Sequence, residues 1–167
     1  MATRTEIEDL NGSPYHLLKR ATQYAANLFA DEVGYRGLTH RQFTVLLAIA
    51  QNEGASQTRL VKVTGIDRST LADLVGRLLK QGYVQRRRTR EDSRTYTIKL
   101  SAAGRRALQA AQPGAAEVDR LVLQAVPADL RKAFLEALGA LSDAHSAQMD
   151  AEETARNDSA AKRRRKA

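Results

Sequence analysis

Two short amphipathic segments joined by only three residues, Thr64-Gly65-Ile66, leave this chain few ways to fold. Leu60, Val61 and Val63 precede the junction, and Leu71, Leu74, Val75, Leu78 and Leu79 follow it, both at helical spacing. Ser56 and Asp67 stand where helix N-caps are expected, because a short side-chain oxygen there accepts from a backbone N–H of the first turn. Gly65 suits the tight turn, and Gly82 stands where a glycine ends the second helix. Residues 83–86 and 95–100 are rich in β-branched and aromatic side chains and read as strands, with residues 87–94 as a charged hairpin tip. Ser101 then caps a further helix. Helix, tight turn, helix and hairpin make a helix-turn-helix with a β-wing, a unit that reads double-stranded DNA.

Charge supports the same partner. The 167 residues carry a formal net charge of +8, and it is concentrated. Between Ser56 and Arg106, thirteen basic residues stand against four acidic ones, leaving the rest of the chain close to neutral. A basic surface over such a motif points to a polyanion, although a solvated basic face without a partner has the same composition. The absence of cysteine excludes disulfides, thiolate metal sites and thiol redox sensing. His16, His40 and His145 are far apart and show no metal-ligand spacing, so neither metal nor cofactor is expected. There is no signal-peptide pattern and no apolar run long enough to span a bilayer, so the expected location is the cytoplasm, with no membrane partner.

The flanks supply the rest of the architecture. Residues 1–13 read as a flexible arm. From Pro14 the residues Leu17, Leu18, Ala21, Tyr24, Ala25, Leu28 and Phe29 recur on one helical face, ending near Gly34. Thr39 and Gln42 form the sequence pattern of a capping box before Phe43, Val45, Leu46, Leu47 and Ile49, a run apolar enough for a buried helix. After Ser101, Leu108, Ala111, Val118, Leu121 and Val122 continue a helix that Pro113-Gly114 is expected to kink or break. Pro127 is expected to start the last helix, with Leu130, Phe134, Leu138 and Leu141 on its face and Leu135 beside them. The first and last helices have apolar faces and little within the chain to cover them. They read as a subunit interface, with an intrachain core as the alternative. The expected fold is therefore mostly α with a small β-hairpin wing: a winged helix-turn-helix lobe at 38–100, a helical dimerisation region at 14–37 and 101–150, and a disordered basic tail at 151–167 ending in KRRRKA.

In such a lobe the N-terminal residues of the second helix face base edges. Here those are Arg68, Ser69, Thr70, Asp73 and Arg77. Arginine pairs with guanine O6 and N7, and hydroxyls suit several edges. Asp73 either accepts from cytosine or holds Arg77 four residues on, the second being favoured in a negatively charged groove. On the wing, Arg86, Arg87, Arg88, Arg90 and Arg94 suit the minor groove or phosphates; phosphate contact is the expectation for most of them and minor-groove insertion for Arg94, with Asp92 placed to orient it.

The run LTHRQFTVLLAI, the run RSTLADLVGRLLKQGYVQRR, the wing triplet Asp92-Ser93-Arg94 and LSAAGRRAL occur in this order, and over residues 14–148 the chain resembles the MarR family of winged-helix transcription regulators. The resemblance implies a two-fold homodimer built through the first and last helices. It also implies a palindromic operator, and release of DNA by a small aromatic or acyl ligand held between the dimer helices and the DNA-binding lobe. The family's wing Asp and Arg fall on Asp92 and Arg94. Its frequent proline two residues before that Asp is Arg90 here, which implies a looser, more electrostatic wing. Polar residues suited to such a ligand are Tyr15, His16, Lys19, Arg20, Tyr24, His40 and Arg41. Cations beside aromatic rings suit an aromatic carboxylate or an acyl-coenzyme A, and equally suit an interface or DNA. The expected protein is a dimeric DNA-binding regulator that represses until a small-molecule effector binds. The alternative is a ligand-independent architectural DNA binder. No nucleophile motif, phosphate loop or metal cluster supports an enzyme.

Overall fold

A computed structural model describes residues 10–88 and 96–164. Six helices and one hairpin follow in chain order: α1 (Pro14–Glu32), α2 (His40–Gln51), α3 (Gln57–Thr64), α4 (Arg68–Lys80), β1 (Val84–Arg88), β2 (Tyr96–Leu100), α5 (Ala102–Gln124) and α6 (Arg131–Arg164). None of these helices is long and apolar enough to cross a membrane.

Local rules set the boundaries. Thr39 Oγ1 accepts from Gln42 N, while the Gln42 side chain accepts from Thr39 N at 2.9 Å, which closes the capping box that starts α2. Ser56, Asp67 and Ser101 cap α3, α4 and α5 in the same manner. Gly65 turns the chain at φ 65°, where a Cβ would be strained. At the end of α4, Gly82 N donates to Leu79 O and Tyr83 N to Leu78 O, a Schellman closure that throws the chain into β1. β1 and β2 pair antiparallel, from Val84 opposite Leu100 to Arg88 opposite Tyr96. The base of this hairpin is tied to the start of α3 by a Ser56–Thr97 bridge and by Ile98 N donating to Ala55 O.

The core lies mainly in this lobe. Leu46, Leu60, Leu71, Val75 and Leu78 are fully enclosed, with Ile98, Leu100, Leu108 and Val118 sealing it from the hairpin and α5. Burial of each large aliphatic side chain contributes roughly 1.5–3 kcal/mol. The SAAG motif has a packing reason. Ser101 Oγ accepts from Gly104 N and donates to Gly82 O, and a Cβ at position 104 would collide with the Tyr83 carbonyl.

Several expectations change. Residues 10–12 form a short 3-10 turn and Ser13 is the buried N-cap of α1, so this part of the expected arm is folded; residues 1–9 lie outside the described residues. α5 runs unbroken through Pro113. Packing against α1 offsets the lost rung: Gly114 meets the end of α1 so closely that a Cβ would lie 2.6 Å from Glu32 O. Pro127 precedes a 3-10 turn (Ala128–Leu130), and α6 begins at Arg131. The expected disordered tail is helix as far as Arg164, with residues 165–167 outside the described set. The reason is composition: alanines and long straight side chains, with no glycine or proline after Gly139 and an Arg156–Glu152 pair at i,i+4. At 34 residues, α6 is about 51 Å long. No described residue of α6 is fully buried, and Leu135, Leu138 and Leu141 stand exposed along with Leu17, Leu18 and Tyr24 of α1. These faces do not form an intrachain core.

Candidate nucleic-acid interface

The leading end of α4 is a charged, exposed edge on a rigid base. Asp67 accepts from Thr70 N at 2.9 Å and from Ser69 Oγ at 2.7 Å. These bonds hold the Asp67 carboxyl well below the usual carboxylate range, the Ser69 bond contributing most. Ser69 therefore spends its hydroxyl proton on the cap and offers only lone pairs outward. Leu71, Leu74, Val75 and Leu78 face the core, leaving Arg68, Ser69, Asp73 and Arg77 on the exposed face and Thr70 half-buried. No ion pair joins Asp73 to Arg77 among the described residues; the nearest carboxylate partner of this face comes from elsewhere. Arg68 Nη2 lies 3.7 Å from Glu153 of α6. Lys62, in the last turn of α3, lies 2.8 Å from Asp150 and 3.4 Å from Glu153. Hydrogen bonds to these two carboxylates raise the Lys62 pKa, Asp150 leading.

On the wing, Arg86 is exposed in β1, opposite Ile98. β1 extends to Arg88, so positions 87 and 88 belong to the ladder and not to the hairpin tip. Arg90, Asp92 and Arg94 lie outside the described residues.

A second feature lies behind α4. A cleft of about 720 Å³ opens between α1, α2, α4 and α5. Of the ligand candidates named from sequence, it brings together His40 and Arg41. Tyr15, Lys19, Arg20 and Tyr24 are exposed on α1 and His16 is half-buried; none of the five lines this cleft. The polar residues added by the fold are Thr22, Thr39, Gln42, Arg77 and Asp119, among the apolar Leu74, Val118 and Val122. Thr22 lies one helical step from Ala25 and Ala26, and Asp119 lies between core-facing positions, but nothing in the local pattern distinguishes either from an ordinary surface residue. Arg77 joins the exposed face of α4 to this cleft. Although part of His40 reaches solvent, its ring packs edge-on against Phe29 at a centroid distance of 5.1 Å. Burial lowers the His40 pKa, Arg41 lowers it further, and Asp119 partly opposes both. Gln42 also donates from Nε2 to Gln81 Oε1 at 3.1 Å, tying the start of α2 to the end of α4. No cluster of His, Asp or Glu among the described residues is arranged to hold a metal ion.

Comparison with known proteins places this architecture. Residues 36–95 match the model of the MarR family. The repressor NicR of Pseudomonas putida is 30% identical over 141 residues, which cover 80% of this chain and 89% of NicR. The chain belongs to the MarR family. It is a winged-helix, DNA-binding transcriptional regulator and not an enzyme. Among solved structures, BpsR of Bordetella bronchiseptica, described with the regulation of its DNA binding by 6-hydroxynicotinic acid, superposes with a TM-score of 0.76 at 26% identity, covering 81% of this chain and 96% of BpsR. The repressor CouR bound to a 23-mer DNA duplex gives 0.72 at 29% identity, covering 82% and 97%.

Proposed function

We propose that this MarR-family regulator is a homodimeric repressor that binds a palindromic operator and is released by a small aromatic carboxylate held in the cleft behind α4. The observation that carries the reading is the wall shared between the two: Leu74 and Arg77 of the DNA-reading helix line a cleft whose other walls are α1, α2 and α5. His40, Arg41 and Arg77 outweigh Asp119 there, so a carboxylate is the complementary charge, and the apolar Leu74, Val118 and Val122 suit an aromatic ring. The volume suits an aromatic acid; a coenzyme A thioester would extend out of the mouth. The 6-hydroxynicotinic acid named for BpsR is of this class.

Arg68, Ser69, Thr70 and Arg77 address the major groove, while Arg86, Arg88, Arg90 and Arg94 address phosphates and the minor groove with Asp92 orienting Arg94. The exposed apolar faces of α1 and α6 form the dimer. Their mutual burial sets two copies of α4 about one helical turn apart, roughly 34 Å. A ligand that draws Arg77 into the cleft changes that separation. A coupling of about 1–3 kcal/mol between ligand and operator is enough for release.

The test is fluorescence anisotropy with DNA flanking the protein's own gene and a scrambled control at two salt concentrations, with and without aromatic carboxylates. Selective binding that one carboxylate reverses, with reversal lost in Arg41→Ala, supports the reading. Equal, steeply salt-dependent binding to both duplexes, unmoved by every acid, supports the architectural alternative.

A further inference from the structure

The long C-terminal helix does something the DNA-reading lobe alone does not need. α6 turns its second half back over the helix-turn-helix. His145 Nε2 lies 3.1 Å from the Gly65 carbonyl, in the turn itself. Met149, one helical turn on, packs against the lobe's core. Asp150 and Glu153, on the same face, then meet Lys62 and Arg68. The result is a line of contacts, one helical turn apart, that ends with two carboxylates on two cations at the leading edge of the recognition helix.

We propose that residues 145–156 of α6 form an acidic strap that competes with DNA phosphate for Lys62 and Arg68. The inference rests on the DNA-binding reading of α4. DNA carries about one negative charge per 1.7 Å of axis, so a backbone approaching this edge meets Asp150 and Glu153 before it can use the cations they hold. Each pair is exposed and individually weak, which is what a displaceable contact requires. With the strap in place, Lys62 and Arg68 are already neutralised and release little to solvent when DNA arrives. With it displaced, both contribute to affinity and to salt dependence. The strap lowers affinity for DNA of any sequence, and an operator must supply enough additional contacts to lift it.

The experiment measures binding of a mixed-sequence duplex of about 30 bp, long enough for two half-sites, across a salt series. It compares the intact protein, Asp150→Asn/Glu153→Gln, and a control with the same charge change near the start of α6, Asp129→Asn in the preceding 3-10 turn with Glu136→Gln in α6. The strap variant is expected to bind about tenfold tighter than the control at low salt, with the slope of log Kd against log salt steeper by about one to two. Amide exchange in residues 145–156 of the unaltered protein is expected to accelerate when DNA is added. Equal affinity and slope in the two variants, or unchanged exchange on DNA binding, overturns the strap while leaving DNA binding intact. Failure of all three proteins to bind any duplex, selected operators included, overturns the DNA-binding reading itself and the strap with it.

Discussion

The DNA-reading lobe and the helical region solve the same problem in opposite ways. In the lobe, α2, α3, α4 and the hairpin close around Leu46, Leu60, Leu71 and Leu78, and the helical region completes that core with Phe29 and Val33 from the end of α1, Leu108 and Val118 from α5, and Met149 of α6 at its margin. In the helical region α1 leaves Leu17, Leu18 and Tyr24 in water, and α6 has no fully buried residue at all among those described. Both regions carry leucine at helical spacing, so periodicity alone does not distinguish them. What distinguishes them is whether the chain returns to cover the stripe. On the proposed homodimer reading, the stripe that its own chain leaves open is covered by another copy, and its stability belongs to the assembly.

The sharpest way to break this comparison is to injure a leucine in each region. Leu71→Ala empties an enclosed site and is expected to lower the unfolding free energy by about 2–5 kcal/mol in urea titrations. Leu138→Asp should instead shift sedimentation from dimer to monomer and weaken operator binding by at least about 100-fold, since each half-site is then held alone. A Leu138→Asp protein that sediments as a normal dimer would return α6 to the status of an unused surface. Next in size, Arg94→Ala is expected to weaken operator binding about tenfold and leave the melting temperature unchanged, which tests whether the wing reads the minor groove. Ser101→Ala, at the joint between the two regions, removes a cap and leaves Gly82 O without its donor, at a cost of about 1 kcal/mol.

The smallest effect concerns pH. The folded-state pKa of His40 lies below its ordinary value of about 6.5, chiefly through burial. The unfolded chain therefore takes up the proton first. The stability from a neutral His40 is complete above about pH 6.5 and is lost as pH falls through the folded value. His40→Gln should flatten that part of the acid limb in urea midpoints measured between neutral and mildly acidic pH. A bound carboxylate should move the transition upward, because it favours the imidazolium.

What the sequence made legible was local. Thr39 with Gln42, Ser56, Asp67, Ser101, Gly65 and Gly82 all act within a few residues of themselves, and the structure places each in its expected role. The errors are tertiary or cumulative. Pro113 signals a break, but Gly114 lets α5 lie against α1 and the helix holds. Charge at the C-terminus signals disorder, but propensity summed over many residues without a breaker extends α6 to Arg164. In the cleft, His40 and Arg41 are legible as polar groups suited to a carboxylate ligand, on the same ground as the candidates of α1. Arg77, Asp119 and Thr22 are not, because their proximity exists only once three distant helices have packed. The exposed cations and rings of α1 suit such a ligand by chemistry alone, and chemistry does not say which wall a side chain joins.

The junction where the hairpin passes into α5 has a mechanical meaning. Ser101 is bonded to Gly82, Ser101 N to Tyr83 O, and Gly104 sits flush on that same carbonyl. There is no slack in such a joint. A small rotation of α5 about its axis is therefore expected to reach the root of the wing and the trailing end of α4 together, as torque through one tight joint.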